Sequence, residues 1–243
     1  MSKTRDIGVA LLCGMSPLVG YAANDWGGSL SATSDYVFRG VSQTRGAPAL
    51  QADLHWHRDA RWLAGAWAST VDVNRGPGPT LEVNAYAGHN WRLGSDWSAK
   101  LLAIHYIYPN DRPVRRWDYD ELVAALAFRD SLIATVAWSP NSSGFANGRA
   151  VEDREAISYE LTANLPWRGA WVVNAGLGYY DLNELFGSGY AFWNCGVTYG
   201  AAPWQVTLAR FGTSGQATTL YGDERTKDRW SLGVQWHFGG AAR

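Results

Sequence analysis

From Leu50 to His57 the chain alternates without a slip, with Leu50, Ala52, Leu54 and Trp56 on one side and Gln51, Asp53, His55 and His57 on the other. The same period of two runs through residues 81–91, where Leu81, Val83, Ala85 and Ala87 oppose Glu82, Asn84 and Tyr86. It returns in residues 157–165, with Ile157, Tyr159, Leu161 and Ala163 opposite Ser158, Glu160, Thr162 and Asn164. A strand sends successive side chains to opposite faces, so each segment carries one apolar and one polar face. Weaker alternation appears near residues 28–39, 62–73, 97–108, 117–128, 131–139, 171–181, 190–199, 203–211 and 229–238. These segments predict twelve strands, each close to the ~10 residues of a membrane-spanning β-strand. No stretch shows a helical period.

The links between the segments alternate in length. Short ones fall at 58–61, 93–96, 129–130, 166–170 and 200–202; long ones fall at 40–47, 74–79, 109–116, 140–154, 182–189 and 212–228. This predicts an all-β fold, a transmembrane up-and-down antiparallel barrel of about twelve strands. Both termini then lie on the short-link, periplasmic side. A soluble sandwich or jelly roll would not alternate its loops in this way. The absence of an internal copy repeat excludes propellers and solenoids.

The two chain ends support export. Lys3 and Arg5 precede an apolar stretch over residues 7–19, and Gly20-Tyr21-Ala22 supplies small residues for cleavage after Ala22. Residues 1–22 therefore read as a cleaved signal peptide and 23–243 as the barrel domain. The 13-residue apolar stretch is short for a membrane anchor. Leu12 before Cys13 is wrong for a lipoprotein. At the other end, Ser231-Leu232-Gly233-Val234-Gln235-Trp236-His237-Phe238 resembles the signal by which barrel-assembly machinery recognises its clients. Gly233, Trp236 and Phe238 carry that pattern, although Gly239–Arg243 follow where the signal usually ends a chain.

Composition then changes the picture in one respect. The 14 Trp, 12 Tyr and 27 Gly suit sheet. A mean hydropathy of −0.23 alone would suggest a soluble protein. A closed barrel removes that conflict, because it pairs every backbone group in lipid while keeping a polar interior. Trp26, Trp62, Trp97, Trp117, Trp138, Trp171, Trp204 and Trp230 recur near strand ends and are expected in interfacial belts. A net charge of −1 provides no basic stripe for nucleic acid. Removing residues 1–22 takes two basic and one acidic residue, for a net of −2, and leaves Cys195 without an intramolecular partner. Cys195 falls on the apolar face.

Ser34-Asp35-Tyr36-Val37-Phe38-Arg39-Gly40-Val41-Ser42-Gln43-Thr44, followed by Pro48-Ala49-Leu50-Gln51, resembles the opening of the TorF-type proteins, also called the Gcw_chp family. Weaker blocks at residues 65–72, 82–88, 108–109 and 118–122 follow in the family's order. The resemblance covers nearly all of the mature chain. It implies a proteobacterial outer-membrane barrel with a proposed porin role, and brings no substrate or catalytic residue.

The polar faces predict a pore lining of Asp35, Arg39, Asp53, His55, Asp72, Glu82, Glu121 and Glu160, with Asp181 also inward. Arg39 is the main strand-borne cation. Loop arginines Arg75, Arg112, Arg115, Arg116, Arg149 and Arg154 would ring the mouth. Such carboxylates favour small cations or neutral polar solutes. The competing expectation is that they pair across a filled lumen, with Arg39 fixing the register. A barrel acting through loops 140–154 and 212–228 is the other functional class. The expected partners are outer-membrane lipid, the assembly machinery and small polar solutes. No cofactor, metal site or catalytic group is expected: Asp53, His55 and His57 share a face without a fourth ligand, and outward His89 has no obvious serine.

Overall fold

The computed structural model describes residues 25–59, 61–72, 80–109, 117–146 and 149–239. The expected signal peptide, and Arg75, Arg112, Arg115 and Arg116, lie outside these residues. The first strand, β1 (Asp25–Thr33), is followed by a small pair, β2 (Val37–Phe38) and β3 (Val41–Ser42). Next come β4 (Ala49–Arg58), β5 (Trp62–Thr70), β6 (Leu81–Arg92), β7 (Trp97–Ile107), β8 (Tyr119–Phe128), β9 (Leu132–Ala146), β10 (Arg149–Arg168) and β11 (Trp171–Asp181). Then α1 (Asn183–Phe186), β12 (Tyr190–Ala201), β13 (Trp204–Thr213), α2 (Gly215–Tyr221), α3 (Asp223–Thr226) and β14 (Arg229–Gly239) complete the described chain.

Twelve strands, all but β2 and β3, form a closed antiparallel barrel in which β1 pairs with β4 on one side and β14 on the other. Every segment expected from the alternation contributes a wall strand, although only residues up to Thr33 of the first segment lie in the wall. Closure leaves no unpaired edge, which is what lipid demands of a sheet. The outer face is apolar: Leu54, Leu126, Leu161, Leu208 and Leu232 all stand exposed. Trp26, Trp62, Trp97, Trp171 and Trp204 are exposed at the short-turn end, and Trp138 and Trp230 near the long-loop end. Such bands suit the two interfaces of a bilayer. Trp117 departs from the expected belt, because it packs with Tyr108 against an internal cluster around Tyr36 and Trp67. Replacing Leu208, near the middle of β13, with arginine should destabilise the barrel by about 2–4 kcal/mol in bilayers. Urea unfolding from lipid vesicles measures this, and an unchanged midpoint would argue against a lipid-facing Leu208.

Three expectations about the links are corrected. Residues 140–154 are largely strand, because β9 and β10 continue pairing beyond the barrel wall through bulges near Ser142 and Arg154. The links at 182–189 and 212–228 contain the three short helices that the period did not reveal. The first strand stops at Thr33, well before residue 39. The chain then turns at Ser34, whose backbone N–H donates to the Leu232 carbonyl at 2.9 Å. Residues 34–46 fold inward as a hairpin, with Tyr36, Val37, Val41, Ser42 and Thr44 all buried. The expected outer loop over residues 40–47 is thus an internal element. Its turn has Arg39 at φ 47° and Gly40 at φ 78°, the paired positive angles of a tight hairpin.

Candidate functional site

The inward hairpin and the lumen around it form the candidate site. Asp35 anchors the corner. Its carboxylate accepts from Ser42 Oγ at 2.5 Å, Thr44 Oγ1 at 2.9 Å and Arg229 Nη1 at 2.6 Å. Its backbone carbonyl accepts from Thr33 Oγ1 and Ser231 Oγ. The first and last wall strands are thereby tied to the hairpin at one point.

From that anchor the hairpin reaches around the wall. Tyr36 meets the Trp67 ring of β5 edge-on at 5.5 Å and donates its hydroxyl to Glu82 of β6 at 3.4 Å. Phe38 lies 6.3 Å from the Tyr106 ring of β7. Arg39 donates through both terminal nitrogens to Glu121 of β8, at 2.7 and 3.2 Å. Its Nε is 3.6 Å from Glu160 of β10, and its guanidinium lies 4.5 Å over the Tyr180 ring of β11. Val37 packs with Ala209 and Phe211 of β13. These partners come from opposite parts of the strand order, so the hairpin bridges the lumen from wall to wall.

Helix α3 fastens this bridge from the loop side. Arg225 of α3 donates to the Ser42 carbonyl at 2.8 Å and to Gln43 Oε1 at 3.2 Å. Arg45 pairs with Glu224 at 2.6 Å. Above the hairpin lies a cavity of about 770 Å³, with Phe38, Val41 and Gln43 among its lining.

The short-turn half of the lumen is polar. Asp53 binds the imidazole of His55 and accepts from Tyr86 Oη at 2.6 Å. His55 and His57 meet edge-on at 5.0 Å. Asn164, Asn174 and Thr198 form a short chain of hydrogen bonds across the β10–β12 wall at 3.0 and 2.9 Å. Lys100 of β7 also has inward parity, beside Asn90 in register, and makes no ion pair among the described residues.

The structure therefore sorts the expected pore residues into three groups. Asp53, His55, Glu82, Glu121 and Glu160 project inward from wall strands. Asp35 and Arg39 are also internal, but on the hairpin and not on the wall, so Arg39 is no strand-borne cation. Asp72 is a correction: Val71 is the buried residue there, and Asp72 is exposed beyond the end of β5. Asp181 has the same error of phase. Tyr180 is buried inward, while Asp181 binds the exposed Asn183. Three of the acids near the hairpin are paired rather than arrayed as an open carboxylate wall: Arg229 faces Asp35, and Arg39 faces Glu121 and Glu160, while Glu82 accepts from Tyr36 and Asn84.

Sequence reasoning missed Arg229 and Lys100 as inward cations, although strand parity pointed to both. Arg229 shares the phase of Ser231, Gly233, Gln235 and His237. Phe238 lies over Gly28, where an added Cβ would come within 2.6 Å of its ring, so the last aromatic of the assembly motif also seals the β1–β14 junction. His89 is held between the rings of Trp62 and Trp91, each at 4.5 Å. Cys195 is exposed on the outer face.

This architecture is similar to that of solved porins at very low sequence identity. The KdgM porin is 9% identical with a TM-score of 0.53, over 87% of this chain and 99% of that one. The NanC porin is 10% identical with a TM-score of 0.53, over 90% and 98%. An outer membrane channel from Pseudomonas putida F1 is 8% identical with a TM-score of 0.52, over 91% and 97%. No curated protein matches the sequence. A family described as "Bacterial protein of unknown function (Gcw_chp)" matches residues 21–238. With that match running from before the first strand to the end of the last, the chain belongs to the Gcw_chp family.

Proposed function

We propose that the protein is an outer-membrane channel for small polar solutes, narrowed on its loop side by the internal hairpin. Its lipid-compatible exterior around a polar interior is the observation that carries this reading. The similarity of fold to solved porins supports it, as does the TorF-type resemblance of the opening block. In this reading the short-turn end faces the periplasm and residues 1–22 direct export.

Solute preference follows from the charges. Of the inward carboxylates, Asp35, Glu121 and Glu160 face arginines, while Glu82 and Asp53 are held by neutral donors such as the Tyr36 and Tyr86 hydroxyls. With three of the five inward acids paired to arginines, the negative charge left to select cations is reduced, so of the two classes that the strand phases suggest, neutral polar solutes fit better than small cations. A barrel that stays closed is the second reading, favoured by the hairpin's wall-to-wall span.

Single-channel recording in planar bilayers separates the two. The intact protein should give small conductance steps with weak ion selectivity. A variant with residues 35–46 replaced by a short Gly-Ser linker should give steps several-fold larger. Conductance absent from both would exclude the channel.

A further inference from the structure

The cavity above the hairpin has a lining unlike that of the lumen below. One side brings together Tyr180, Phe186, Tyr190 and Tyr221, from β11, α1, β12 and α2. Tyr190 stands edge-on to Tyr180 at 5.9 Å and to Tyr221 at 5.8 Å, and Phe186 meets Tyr221 at 6.2 Å. A second aromatic group, Tyr108 and Trp117, lies at the β7–β8 side with ring centroids 6.4 Å apart. The rings lock one another through edge contacts, so the aromatic surface is preorganised. Closed-up packing does not fill the space, since about 770 Å³ remains, within the range of sites for small organic ligands.

The polar groups narrow the chemistry. Arg45 is paired with Glu224, and Arg225 is committed to Ser42 and Gln43 while lying 5.5 Å over the Tyr221 ring. Those two are already satisfied, and Lys227, the third cation on the lining, is accompanied there by Asp223 and Glu224, so the wall carries little net charge to attract an anion. Burial pushes the Tyr221 phenol well above its ordinary range, keeping it a neutral donor at physiological pH. Ser142 and Gln43 add neutral polar groups to the lining.

We propose that this cavity binds a neutral, hydroxylated ring compound, a mono- or disaccharide in size. The polarised C–H face of a sugar ring packs against an aromatic face, whose quadrupole is negative above the ring. Its hydroxyls would exchange hydrogen bonds with phenols and amides at the edges. The site lies on the loop side of the hairpin, so it does not depend on whether the barrel conducts.

Titration of the full barrel in detergent micelles tests this, using maltose and phenyl β-glucoside as neutral probes and galacturonate and glucosamine as charged ones. Calorimetry and tryptophan fluorescence both report occupancy. At least one neutral probe should bind saturably at millimolar concentration or below, more tightly than either charged probe. Tyr221→Ala should weaken it about tenfold. Tyr221→Phe, which keeps the ring and fold, should weaken it less, and Lys100→Ala at the other end should change nothing. Lack of saturable binding by both neutral probes would overturn the assignment. Equal affinity for a charged probe, or binding unchanged in both Tyr221 variants, would overturn it too.

Discussion

Replacing Arg39 with alanine is expected to destabilise the protein by about 3–5 kcal/mol, the usual cost of leaving one member of a buried ion pair without its partner. Arg39 and Glu121 have side-chain exposures of only 3% and 2%, so water cannot take over the role of the guanidinium. Tyr106 Oη, at 3.1 Å, would remain as a donor to Glu121, but a neutral hydroxyl compensates a carboxylate poorly. The intact pair need not contribute that much net stability, because both groups were desolvated to form it. The Arg39→Ala/Glu121→Ala double variant should therefore recover part of the loss, and a double-mutant cycle would show coupling above about 1 kcal/mol. Arg39→Lys should rescue incompletely, since an ammonium cannot reproduce the two-pronged contact. Urea unfolding from vesicles measures these differences. A single Arg39→Ala variant within about 0.5 kcal/mol of wild type would place the pair among contacts that do not hold the hairpin.

The second large effect is expected at Gly40. Its φ of 78° lies where an L side chain is strained, and an added Cβ would sit 2.5 Å from Thr213 Cγ2 and 2.9 Å from Phe192 Cβ. Gly40→Ala should cost about 2–5 kcal/mol, with about 1–2 from the backbone angle and about 1–3 from overpacking. Gly46 provides the comparison. Its φ is 82°, but the nearest atom to an added Cβ is 3.8 Å away. Gly46→Ala should thus carry the backbone cost alone, about 1–2 kcal/mol. Equal destabilisation at the two glycines would mean that the hairpin tip is not packed against β12 and β13. If the tip is packed and the proposed channel conducts, Gly40→Ala should also enlarge its conductance, because a loosened hairpin obstructs less of the lumen.

The strength of the alternation along each strand has a physical explanation in this hairpin. Strands β4 and β10 face the lumen with polar groups such as Asp53, His55, Ser158 and Thr162, and their period is clear. Strands β5, β11 and β13 turn Trp67, Tyr180 and Phe211 inward, where Tyr36, Arg39 and Val37 meet them. Inside that half, apolar no longer means outward, so the period blurs. The misplaced phases of Asp72 and Asp181 arise at the ends of two such strands. Polarity points to the opposite phase there, because the inward positions are the apolar Val71 and the aromatic Tyr180.

The opening block was legible as distinctive but not as internal. Asp35, Val37 and Arg39 continue the period of β1, and nothing local distinguishes a longer strand from a fold back into the lumen. The decision rests on contacts over long separations: Asp35 with Arg229, Arg39 with Glu121, and Ser42 with Arg225.

Strand number and most outward-facing positions were determined by the sequence itself, because they depend on the two-residue period of an extended chain. The path of residues 34–46, the pairing of the inward acids and the aromatic cavity were decided only in the tertiary structure. Each requires the barrel to close first. Closure brings distant strands around one lumen, and only then does a buried hairpin cost less than an exposed one.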